Sequence, residues 1–143
     1  MIRRLKQLGA CNKQLVDVYK KQVRTHLEYA VPVWAGSITQ YENKQIEKVQ
    51  KAFCAILLGH KYESYSRALS LLRLEKLSIR RVDITKRFAH NSSRHTKHNN
   101  WFKRLQYDGP DTRSKKNKYM KVKSNKAKLL SGPISYMTSL LNI

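Results

Sequence analysis

The sequence predicts a mainly α protein: a small helical bundle followed by a basic, partly irregular C-terminal tail. Three observations predict it. Apolar residues recur at spacings of three or four through the first 92 residues, the signature of one helix face. Helix stop and start signals, Gly9, Thr39 and Gly59, punctuate those series. After Asn91 the periodicity ends, and polar and basic residues take over.

The elements follow in order. Ile2, Leu5 and Leu8 form a short apolar series that stops at Gly9, a natural residue past a helix end. Asn12 is placed to cap the next helix. In that helix Val16, Tyr19, Val23, Leu27, Ala30 and Trp34 share a face. Pro32 biases Val31 toward an extended backbone, so the helix is expected to finish near Ala30, with Trp34 packing from the turn beyond. Thr39-Gln40-Tyr41-Glu42 has the S/T-x-x-E form of a capping box, in which hydroxyl and carboxylate each satisfy an orphan amide. The helix it opens places Ile46, Val49, Phe53, Ile56 and Leu57 on one side. Lys44, Lys48 and Lys51 then fall almost opposite.

A shorter helix is expected from Ser64 to Leu72, burying Tyr65, Ala68, Leu69 and Leu72. Another runs from Glu75 to Asn91, with Leu77, Ile84 and Phe88 in line and Arg80 and Arg87 beside them. Arg81 falls inside that apolar seam. Snorkelling along its stem is the expected arrangement, with an ion pair to Glu28 or Glu47 as the alternative. The expected core is anchored by Leu27, Tyr29, Trp34, Phe53, Leu77 and Phe88. Residues 93–118 read as a polar, basic linker, expected to be flexible, and residues 119–143 as a tail. The tail holds a brief extended segment at 119–123 and a short helix after Pro133.

Thirty Lys and Arg against nine Asp and Glu give the 143-residue chain a formal net charge of +21. The excess is +5 over residues 1–40, +8 over 41–100 and +8 over 101–143. A field of one sign repels itself in a compact fold, so a polyanion is the expected neutralising partner. Nucleic acid fits best, since each phosphate contact releases a counterion. No apolar run approaches the roughly 18–20 residues of a membrane span. The basic start lacks the apolar stretch of a secretory leader. Cys11 and Cys54 are therefore expected as free thiols in a reducing compartment, nucleus or cytoplasm.

Catalytic constellations are not expected. The nine carboxylates, Asp17, Glu28, Glu42, Glu47, Glu63, Glu75, Asp83, Asp108 and Asp111, are never adjacent. Two-metal phosphoryl transfer needs acids clustered around the ions. The five glycines are scattered, so no phosphate loop forms. His90, His95 and His98 are close in sequence but lie among cations that would repel a metal ion, and His26 and His60 read as structural. No catalysis and no cofactor are expected.

Leu8-Gly9, then Leu15 with Val18-Tyr19, then Leu27-Glu28-Tyr29-Ala30-Val31-Pro32-Val33-Trp34 form an ordered set of strings. Glu47-Lys48-Val49-Gln50-Lys51, Ile56-Leu57-Leu58-Gly59, Tyr62-Glu63-Ser64-Tyr65, Leu74-Glu75-Lys76-Leu77 and Pro133-Ile134-Ser135-Tyr136-Met137 continue it. In order and spacing it resembles the region after the polymerase core in reverse transcriptases of non-LTR retrotransposons, jockey-like mobile elements among them. The resemblance covers nearly the whole chain and is weakest from residue 92 to 118. It implies a thumb-like helical domain over 1–92 that holds a template–primer duplex while a palm domain performs synthesis. The fingers, the palm with its paired aspartates and any endonuclease are not represented, so the resemblance implies a fragment without catalysis of its own. A thumb grips the phosphate backbone, and the residues expected to do so are Lys44, Lys48, Lys51, Arg80 and Arg87, with Lys115, Lys116 and Lys118 in the tail. The alternatives are a helical protein-interaction domain or a relict of the element.

Overall fold

The computed structural model describes residues 1–103, 119–120 and 132–143. The described residues are helical, without β-strands. In order they form α1 (Ile2–Gln7), α2 (Asn12–Val18), a π-helical turn (Tyr19–Val23), α3 (Arg24–Leu27), α4 (Val31–Trp34) and α5 (Gln40–Leu58). A 3₁₀ turn (Gly59–Lys61), α6 (Tyr65–Leu72), α7 (Leu77–Arg94), a 3₁₀ turn (Asn99–Trp101) and α8 (Pro133–Leu141) follow. The chain divides into two compact units, one of residues 1–29 and 39–80, the other of 30–38 and 81–143. That partition falls inside the expected 1–92 domain.

The first unit is built on α5. Thr39 opens it as expected: its Oγ1 accepts the Glu42 N–H (3.2 Å), and Glu42 Oε2 accepts the Thr39 N–H (2.8 Å). The backbone amide of Thr39, then its hydroxyl, holds the Glu42 carboxyl below its usual range. Gly59 closes the helix at φ +54°, where a side chain would be strained. The last carbonyls gain a partner from α1, since Lys6 Nζ donates to the Ile56 and Leu57 oxygens at 2.6 and 2.8 Å. A cation at a helix C-terminus also complements its dipole. Ile2 and Leu5 pack on the core, whereas Leu8 lies exposed beyond the helix.

Leu15, Val16, Tyr19, Phe53, Cys54, Leu57, Ala68, Leu69 and Leu74 form the core of this unit. The Tyr19 and Phe53 rings stack at 4.1 Å and 12°. Full burial of an aliphatic side chain such as Leu15 or Leu57 contributes about 2 kcal/mol. The buried face of α5 is Gln50, Phe53, Cys54 and Leu57, rotated from the expected stripe, and Val49 is exposed. Gln50 is the reason. Its Oε1 accepts the Tyr19 hydroxyl (2.7 Å), and its Nε2 donates to Glu75 O (2.8 Å) and Tyr65 Oη (3.2 Å). A polar residue with three partners is buried without the penalty of a lone amide.

Several expectations are corrected. The cap of α2 is Cys11, one residue earlier than Asn12, with Gln14 Oε1 accepting the Cys11 N–H at 3.0 Å. The helix expected to run to Ala30 is interrupted by the π turn and ends at Leu27. Tyr29, assigned to the core, is 80% exposed, because it lies in the turn past that end, before Ala30 takes a left-handed φ of +50°. Leu27 and Trp34 are half-buried, and Phe53 and Leu77 are buried as expected.

In the second unit α7 buries Arg81, Thr85, Ala89 and Ser92 in steps of four and three. Phe88 lies beside that line and is 43% exposed, a second correction to the core. Thr85 is tolerated because its hydroxyl donates to Arg81 O at 2.8 Å, the back-bond that satisfies a mid-helix threonine. Arg81 does not snorkel: it is 4% exposed, with its guanidinium 5.9 Å from the centre of the Trp34 ring. Ala89, Phe102 and Met137 form a small core with Tyr119 and Leu141 against it. Asn142 pairs with the Tyr119 backbone in both directions, at 2.8 and 3.0 Å. α8 follows Pro133 as expected. Residues 104–118 and 121–123, which carry most of the expected linker and extended segment, lie outside the described residues.

Candidate nucleic-acid interface

Spacings of four and three put Lys44, Lys48 and Lys51 on one exposed face of α5. They border a hollow of about 410 Å³ whose remaining walls are Asn43 and Glu47 of α5, Tyr65 of α6, and Lys76 and Ser78 where the chain enters α7. Four lysines thus face one carboxylate. That carboxylate is already committed: Glu47 Oε1 accepts the Ser78 N–H at 2.8 Å, and Oε2 accepts the Tyr65 hydroxyl at 2.5 Å. Bound at the first turn of α7, it complements the positive end of the helix dipole.

Tyr65 is the hinge of the wall. Its hydroxyl is held between Glu47 and Gln50, and its ring lies under Lys51, whose Nζ is 5.2 Å from the ring centre. Burial, then the hydrogen bond to Glu47, pushes the Tyr65 phenol well above its ordinary value. Tyr65 therefore stays a neutral donor to Glu47 at physiological pH. The hollow presents ammonium groups on flexible stems around a floor locked by hydrogen bonds. Such a surface attracts phosphate oxygens.

The other expected contacts separate. Arg80 makes a two-pronged pair with Glu28 (Nε–Oε1 2.5 Å, Nη2–Oε2 3.1 Å) and lies 3.6 Å from Glu75. The hydrogen bond to Glu28 raises its pKa further. This guanidinium ties α7 to the segment after α3 and is withdrawn from the phosphate-binding set. Glu28, one of the two partners considered for Arg81, is paired with the neighbouring Arg80. Arg87, in the second unit, is exposed and pairs with Asp83 at 2.6 Å one turn earlier on α7. Lys115, Lys116 and Lys118 lie outside the described residues. Lys76 was not foreseen: the helix was expected to start at Glu75 and include it, whereas α7 starts at Leu77 and leaves Lys76 in the connection beside the hollow.

Among the described residues no group of three or more His, Cys, Asp or Glu is placed to hold a metal ion, and no helix is long and apolar enough to cross a membrane. No protein-family model, curated protein or solved structure matches this chain.

Proposed function

We propose that this chain is a non-catalytic nucleic-acid-binding fragment of a retrotransposon reverse transcriptase, gripping a template–primer duplex by its phosphate backbone. The observation that carries the reading is the set of four lysines, Lys44, Lys48, Lys51 and Lys76, around one hollow. The +21 net charge supports it by drawing any polyanion toward the chain. In this reading synthesis belongs to the palm domain of the parent polymerase, and the fragment works inside the cell.

The test is binding to a short RNA–DNA duplex across a salt series. Four neutralised phosphates give a slope near −3.6 in log K against log salt, about a hundredfold loss between about 50 and 200 mM. Replacing Lys44, Lys48 or Lys51 singly with Ala should flatten the slope by about 0.9 each. Replacing Arg80 with Ala should leave the slope and lower stability instead. Binding that ignores salt, or that is absent at low salt, refutes the proposal.

A second reading, a helical protein-interaction domain, draws on an apolar hollow of about 540 Å³ in the first unit. Ile2, Val23, Val49, Ala52 and Ile56 line it over the Tyr19–Phe53 stack. Concentration-dependent self-association in sedimentation, with no affinity for the duplex, would favour this reading over the first.

A further inference from the structure

His95, His98 and Trp101 form a constellation that a duplex grip does not use. After α7 the backbone winds tightly: His98 N–H donates to His95 O (2.9 Å), and Trp101 N–H donates to His98 O (3.0 Å). Turns closed by such bonds carry about three residues each, so side chains three apart eclipse one another. The rings accordingly form a tilted ladder, His95 against His98 at 5.2 Å and 32°, His98 against Trp101 at 4.5 Å and 39°. The Lys97 N–H donates to His95 Nδ1 at 3.3 Å and steadies the first ring. Both ends of the ladder reach solvent, with His95 exposed and the indole 43% exposed. Exposed Arg94, Lys97 and Lys103 flank it in sequence, and the sequence holds no carboxylate between Asp83 and Asp108.

We infer that this ladder is a stacking platform for an unpaired nucleobase, so that the chain also binds single-stranded nucleic acid. A π-face on a stretch of chain that carries cations and no carboxylate from residue 84 to 107 matches a base with its flanking phosphates. A base inside a duplex has both faces covered by its neighbours, so an unpaired one extends the ladder where an internal stacked one cannot. This activity goes beyond the duplex grip and uses residues remote in sequence from the lysine hollow.

The test compares three labelled ligands on the full chain by fluorescence anisotropy. They are a single strand of about eight nucleotides, an abasic strand of equal length and charge, and a blunt duplex. The base-bearing strand should bind about tenfold more tightly than the abasic one. Trp101→Ala should erase that preference, Trp101→Phe should keep most of it, and both should leave duplex affinity unchanged. Equal binding of the two strands by the unaltered chain overturns the inference, as does a preference that survives Trp101→Ala. Should Trp101→Ala fail to fold, the comparison on the unaltered chain still decides. Loss of duplex binding alone would count against the lysine hollow and leave the platform standing.

Discussion

Gln50 is fully buried and holds Tyr19, Tyr65 and the Glu75 carbonyl together. Replacing it with Leu keeps the volume but strands the Tyr19 hydroxyl and the Glu75 oxygen, at about 1–3 kcal/mol for each stranded group. Urea unfolding should show Gln50→Leu less stable by about 3 kcal/mol. Adding Tyr19→Phe, which removes one stranded group, should cost less than the two single changes summed. Additive losses would mean that the Tyr19–Gln50 bond contributes nothing. Cys54 gives a pH signature. Burial pushes its thiol from 9.0 up to about 11, so above pH 9 the unfolded chain releases a proton that the folded chain retains. Its contribution is therefore complete below pH 9 and lost as pH climbs through 11, by about 2–3 kcal/mol. The buried Tyr19 and half-buried Tyr65 phenols are raised as well and act with the same sign at higher pH. Cys54→Ala should lose less stability than the parent between pH 9 and 11, and equal losses would contradict this account. Neither Gln50 nor Arg81 was legible as a buried residue, because a hydrophobic period ranks side chains by polarity and cannot see partners distant in the chain. Arg80 was misread for the same reason: Glu28 stands 52 positions away.

At the scale of elements, signals written in adjacent residues were legible and those set by packing were not. The capping box of α5, the stop at Gly59 and the start of α8 at Pro133 all rest on local backbone chemistry. Thr39→Ala should cost about 1 kcal/mol, read as a lower thermal midpoint, whereas Thr39→Ser should be close to neutral. The π turn at Tyr19–Val23 has no such signal. It interrupts the helix expected to run to Ala30, which ends at Leu27 and leaves Tyr29 in the turn beyond. Arg73, which ends α6 in the left-handed region at φ +50°, ψ +50°, was equally silent. Glycine is the favoured occupant there, so Arg73→Gly should stabilise the chain by up to about 1 kcal/mol. A lower thermal midpoint for that variant would show that the Arg73 side chain contributes more than its backbone conformation costs. The lysine face of α5 was readable because a 19-residue helix fixes its own phase, while Lys76 depends on where a connection ends.

For the molecule as a whole the charge balance decides how salt acts. A net charge of +21 on 143 residues sets like charges against one another in the folded state, whatever the local pairs achieve. Exposed pairs such as Arg67–Glu63 and Arg87–Asp83 contribute at most about 1 kcal/mol each and cannot offset it. Salt shortens the reach of the repulsion to about 10 Å at 0.1 M, so the thermal midpoint of the free chain should rise with ionic strength. A bound duplex should do the reverse. It neutralises the lysines, raises the midpoint by linkage at low salt, and loses that effect as counterions displace it. Thermal scans with and without duplex should therefore start apart at low salt and converge as salt increases, one curve climbing while the other descends. A midpoint of the free chain that stays flat would show that its cations do not strain the fold. Two curves that coincide at every salt concentration would show that the folded chain does not hold the duplex at all.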